Sequence, residues 1–118
     1  MNNFQNLKVW QKARVFTKEA YLVLNKLPND ERFGLTSQLK RAVISISSNI
    51  AEGSGRNSDA DFTRFLDISL GSCYEVESQF TLAMDLNFIN EQDFNLMKNS
   101  INEIEKMLIG LIKSKRNK

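Results

Sequence analysis

The residues that could do chemistry in this 118-residue chain are few. Gly53-Ser54-Gly55-Arg56 is glycine-rich and basic, which is the composition of a phosphate cradle. It lacks the lysine and the preceding strand that a P-loop requires, so a turn between helices is the better reading. Glu75 and Glu77 could act as a carboxylate pair, but two residues apart on a helix they point to different faces. Cys73 is the single cysteine and there is no histidine. That combination offers no internal disulfide, no zinc site, no Cys-His nucleophile and no Glu-x-x-His ligand pair of the di-iron bundles. The expectation is a protein without catalytic residues, metal, cofactor or small-molecule substrate.

Polyanion binding is the chemistry left. Net charge is only +2, but it is uneven: +5 over residues 1–56, −5 over residues 57–86 and +2 over residues 87–118. Lys8, Lys12, Arg14 and Lys18 lie close together, with Lys26 further on and Glu19 the one nearby acid. On a helix, Lys8, Lys12 and Lys26 project from nearly one angle, with Arg14 and Lys18 at the other edge of the polar face. Arg56 and Arg64 follow, and a basic tail over residues 113–118 closes the chain. Such groups suffice for phosphate contacts, which carry most non-specific nucleic-acid affinity. No recognition helix, RNP motif or aromatic platform for base-specific reading stands out. The candidate contacts are Lys8, Lys12, Arg14, Lys18, Arg41, Arg56 and Arg64.

Few breakers interrupt the elements that must carry these groups, with five glycines and one proline in the chain. The pattern predicts an all-α, up-down-up-down antiparallel four-helix bundle in one domain, residues 1–118, with helices over about residues 7–27, 30–53, 58–86 and 90–113. In the first, Trp10, Ala13, Thr17, Ala20, Leu24 and Leu27 form the stripe, flanked by Val9, Phe16 and Val23, and Pro28 stops it. Asn29 or Asp30 can cap the second, which buries Leu35, Leu39, Ala42, Val43, Ile46 and Ile50, and Gly53 to Gly55 end it. Ser58 opens the third, with Phe62, Phe65, Leu66, Ser69, Cys73, Val76, Phe80 and Ala83 inward. The fourth places Phe94, Met97, Ile101, Ile104, Leu108 and Leu111 on one seam, then frays into the tail. Glu77 falls inside an apolar stripe, and a buried carboxylate needs a partner. Arg41 is the expected one, with Lys40 as the alternative. No apolar run approaches the ~20 residues of a membrane helix and no signal peptide is visible, so a soluble cytoplasmic protein away from membranes is expected.

Two helices carry more apolar surface than one bundle needs. Ser37, Ile44, Ser47, Ser48 and Ala51 lie opposite the core stripe of the second helix, where charge is normal. Ile68, Leu82 and Leu86 make a second stripe beside Gly71 on the third. These nine residues are the expected oligomer interface. Unlike patches paired head-to-tail close into a ring when the rotation permits.

Several motifs are familiar together. They are Phe4-x-x-Leu7-x-Val9-Trp10-Gln11-Lys12-Ala13, Pro28-x-x-Glu31-x-Phe33-Gly34-Leu35 with Gln38, Arg41 and Ala42, Ser45-Ile46-x-Ser48-Asn49-Ile50-Ala51-Glu52-Gly53 with Arg56, and Gly71-Ser72-x-x-Glu75-x-Glu77-x-Gln79. Over roughly residues 4 to 112 the chain resembles the 23S rRNA-intervening-sequence proteins, also labelled ribosomal protein S23, whose founding members are encoded in insertions within bacterial 23S rRNA genes. Asn49 to Gly53 is the most specific segment. Accessory variability proteins of diversity-generating retroelements are similar in fold, and they form pentameric barrels that bind nucleic acid and a reverse transcriptase. The resemblance implies a homopentamer with a positively charged surface. RNA or DNA is the partner it implies first, and a reverse transcriptase or another acidic protein is the alternative.

Overall fold

The N-terminal helical pattern stops three residues short of the proline. In the computed structural model, which describes residues 3–117, a 3-10 turn at Phe4–Asn6 leads into α1 (Lys8–Leu24). Beyond Asn25 the backbone tightens, with Lys26 N donating to Val23 O and Leu27 N to Leu24 O at 3.0 and 3.1 Å. The second helix starts later than expected. Residues Asn29–Glu31 form a separate 3-10 turn, and α2 (Leu35–Ser54) follows Gly34 with no side-chain cap from Asn29 or Asp30. Glu31 Oε1, 3.4 Å from Leu35 N, takes one of the orphan amides of the first turn instead.

The third and fourth helices begin as their sequences dictate. Ser58 Oγ accepts from Asp61 N at 3.1 Å and opens α3 (Asp59–Asp85), with Asp59 and Asp61 on the positive end of the dipole. Asn90 Oδ1 accepts from Asp93 N at 2.7 Å and opens α4 (Glu91–Arg116). Between them, Asn87 is at φ 62°, the left-handed conformation that ends a helix. Phe88 N bonds Ala83 O and Asn87 N bonds Met84 O, which satisfies the last carbonyls in a Schellman arrangement. The basic tail does not fray: α4 continues to Arg116, and Lys118 lies outside the described residues.

Cross-helix contacts set the topology. Along α2 and α3, Gln38 meets Gln79, Ser45 meets Ser72 and Ile46 meets Ser69, so the two run antiparallel. Lys12 with Glu103 and Lys26 with Asp93 give the same sense for α1 and α4. Lys115 near Asp59 pins the end of α4 to the start of α3. The result is an up-down-up-down antiparallel bundle, 46 × 23 × 19 Å. Its core holds Phe16, Leu39, Ile46, Leu66, Ile101 and Leu108, each essentially inaccessible. Each such side chain contributes about 1.5–3 kcal/mol by leaving water. Val9, Phe16 and Val23 are buried at the centre of the α1 face, while Trp10 and Thr17 sit half-buried at its edge.

The Gly53-Ser54-Gly55 run ends α2 as expected, but Gly53 itself has a second role. It lies inside α2, where an added Cβ would stand 2.6 Å from Phe65 Cβ and 3.2 Å from Phe62 O. Gly55 is the C-cap, in ordinary right-handed geometry.

Candidate assembly face and polyanion-binding residues

Small residues bring α2 and α3 together along the seam between them. Ser45 Oγ and Ser72 Oγ are 2.8 Å apart, and Ser69 Oγ donates to Ile46 O at 2.9 Å. Asn49 Nδ2 donates to Ser45 O at 2.8 Å. This part of the serine-rich character of α2 is thus consumed within one chain.

The outer side of the same two helices is open. Ile44 is 43% exposed, Ile68 44%, Leu82 50% and Leu86 56%. Ser48 is exposed, and Ser37, Ser47 and Ala51 are half-buried. A Cβ on Gly71 would meet nothing within 4 Å, so no packing within the chain demands glycine there. The part-buried Ser45–Ser72 contact sits at the seam between the two sides, where it floors a shallow groove lined also by Gln38, Arg41, Ala42 and Glu75. Val15 and Leu22 on α1 and Leu96 on α4 are similarly exposed, and what sets these four aliphatic side chains apart is that they share two adjacent helices.

The expected Arg41–Glu77 ion pair is not formed. Arg41 is exposed at the α2–α3 groove beside Glu75, on the outer side of the bundle. Glu77 points to the opposite edge of α3, towards α4, and its neighbour is another acid, Glu105. Glu105 is 8% exposed, and its Oε2 has no hydrogen-bond partner. Burial first, and then Glu77, push the Glu105 carboxyl up to about 7. The pattern of α4 gave a signal for this: Glu105 sits beside Ile101, Ile104 and Leu108 on the buried stripe. Cys73 is fully buried, and burial holds its thiol protonated, with Glu105 and Glu77 adding to that effect.

The seven candidate cations are spread over several edges. Lys8 and Lys12 face α4: Lys8 shares an apolar-floored depression with Lys106, and Lys12 Nζ is 2.8 Å from Glu103 Oε2. Arg14 and Lys18 lie on the other edge of α1, in a depression with Gln5, Trp10, Gln11 and Val15. Arg56 and Arg64 converge on the ring of Phe65, at 4.7 and 4.5 Å from its centroid. Each is also within 3.5 Å of a carboxylate of its own turn, Glu52 and Asp61 respectively. In the tail, Lys115 lies near Asp59, and Arg116 pairs with Asp67. Lys8, Arg14, Lys18 and Arg41 are the four of the seven that make no ion pair with a described residue. The aromatic edge formed by Trp10 was not expected. Its signal is the i, i+4, i+8 run of Trp10, Arg14 and Lys18.

Among the described residues, no helix is long and apolar enough to cross a membrane. The profile of a protein family described as "23S rRNA-intervening sequence protein" matches residues 5–110. No curated protein sequence matches the chain. Among solved structures, the chain is similar to a crystal structure of a protein with unknown function from the S23 ribosomal protein family of Bacteroides thetaiotaomicron VPI-5482. The two are 30% identical with a TM-score of 0.83, over 89% of this chain and 98% of that one.

Proposed function

This chain belongs to the 23S rRNA-intervening sequence protein family, and on that premise we propose that it works as a homo-oligomeric, non-enzymatic nucleic-acid-binding accessory protein. The observation that carries the reading is the row of Ile44, Ile68, Leu82 and Leu86, half in water on the outer side of α2 and α3. Covering that row with a second copy removes apolar surface from water at about 25 cal/mol per Å². A closed ring, pentameric as the resemblance implies, repeats every cation of one subunit around the assembly. Repetition raises avidity for a polyanion without new contacts. The unpaired cations Lys8, Arg14, Lys18 and Arg41 are the favoured phosphate contacts. Lys12, Arg56 and Arg64 would first exchange a carboxylate for a phosphate.

Binding of a fluorescent structured RNA, titrated with salt, tests the nucleic-acid half of this reading. The expected result is binding at about 50 mM salt that weakens steeply by about 300 mM. Absence of binding at low salt, or no salt dependence, contradicts it and leaves an acidic protein as the partner of the same cations.

A further inference from the structure

We propose that the depression beside Trp10 binds an unpaired nucleotide, its base stacked on the Trp10–Arg14 surface and its phosphate held by Lys18. This inference rests on the nucleic-acid reading above and narrows it to single strands.

The site is built from the foot of α1 and the turn that precedes it. Trp10 is half-buried and packs against the core with part of its indole left in solvent. Phe4 meets that ring edge-on, with centroids 4.8 Å apart and planes at 67°, which fixes the ring's orientation. Gln11 Nε2 donates to Gln5 O at 2.8 Å and ties the preceding turn to the helix. The guanidinium of Arg14 lies over the Trp10 ring, 5.7 Å from its centroid, so it caps the indole and offers its own outer plane to a base. Lys18 stands one turn further along the same edge.

The walls of the depression are Gln5, Trp10, Gln11, Arg14, Val15 and Lys18. They include two cations, two amides and an aromatic ring, and no carboxylate. The volume of about 780 Å³ is ample for one nucleotide. Unpaired bases offer a π-face, and proteins take them on aromatic rings and arginine planes. In a duplex both faces of each base are already stacked, so a double strand can use the cations here but not the indole. An acidic peptide could also use the cations, but it brings no ring for the indole to stack.

Trp10 is the only tryptophan in the chain, so its fluorescence reports this site alone. The experiment titrates the full chain into fluorescein-labelled oligouridine of about 12 nucleotides and into a duplex RNA of equal length, at about 50 mM salt. Label anisotropy measures binding, and Trp10 emission measures stacking. The expected result is that oligouridine binds at least about tenfold more tightly than the duplex and quenches Trp10 in parallel. Trp10→Ala should lose about tenfold in oligouridine affinity, while Trp10→Phe keeps most of it. Circular dichroism of both variants checks the fold, and the wild-type quenching stands whether or not Trp10→Ala folds.

Anisotropy that rises while Trp10 emission stays constant overturns the proposal and leaves nucleic-acid binding intact. Equal affinity for the two RNAs has the same meaning. Equal quenching by unlabelled polyglutamate overturns it in favour of an acidic peptide. No anisotropy change with either RNA removes the broader reading together with this one.

Discussion

The inner and outer sides of the α2–α3 pair are made of similar small residues, yet they do different things. On the inner side Gly53 has no room for a methyl group, and Ser69 spends its hydroxyl across the seam, where Ser45 meets Ser72. On the outer side a Cβ at Gly71 would meet nothing, and Ile44, Ile68, Leu82 and Leu86 stand half in water. The inner side is fully explained by one chain. The outer side carries apolar side chains that packing within one chain leaves half in water.

Gly53→Ala breaks the comparison most sharply. Glycine to alanine inside a helix normally stabilises by about 1 kcal/mol. Here the new methyl would press on Phe65 Cβ, which is fixed to the backbone, and the seam must open. A net loss of about 1–3 kcal/mol is expected in denaturant unfolding. A gain in stability would show that the seam is looser than 2.6 Å implies.

Glu105→Gln probes a buried seam with a different defect. The Glu105 carboxyl, raised to about 7 in the folded chain, favours the folded state when protonated. Its destabilising effect therefore grows as pH rises from about 4.5 to 7 and is complete above that. Glutamine cannot ionise, so the variant should exceed the wild type at pH 8 by on the order of 1–3 kcal/mol. The gain should fade below about pH 5. Unfolding curves at the two pH values check this, and a pH-independent difference contradicts it.

Gly71→Ala is the outer-side counterpart of Gly53→Ala, with the smallest effect. With open space around it, the methyl should raise the unfolding free energy of the single chain by up to about 1 kcal/mol. Opposite signs for the two substitutions sharpen the contrast. Equal signs would erase it.

Much of the bundle was legible in the sequence, because burial follows helical periodicity one element at a time. Ser58 and the glycine-poor stretch after it read directly as α3, and the row from Ile68 to Leu86 falls on the outer side of that helix. The rest shares a cause: each feature depended on which neighbour a face meets. Glu77 was matched to Arg41 by charge alone, yet the rotation of α3 turns it to α4, where it meets Glu105. Gly53 to Gly55 end α2 as read, but only the approach of Phe65 reveals the packing role of Gly53. For the candidate polyanion contacts, the sequence shows residue types and helical phase only. Their ion pairs with Glu103, Glu52 and Asp61, and the ring of Trp10 beside Arg14, required three dimensions.

The central claim is that the outer α2–α3 face is covered by another copy of the chain. Light scattering coupled to size exclusion, at micromolar concentration, compares the wild type with Ile44→Glu most directly. The account predicts a defined multimer for the wild type and a helical monomer for the variant, because a charge placed in a dry interface is costly. A wild-type monomer, or a variant that keeps the wild-type mass, would contradict it.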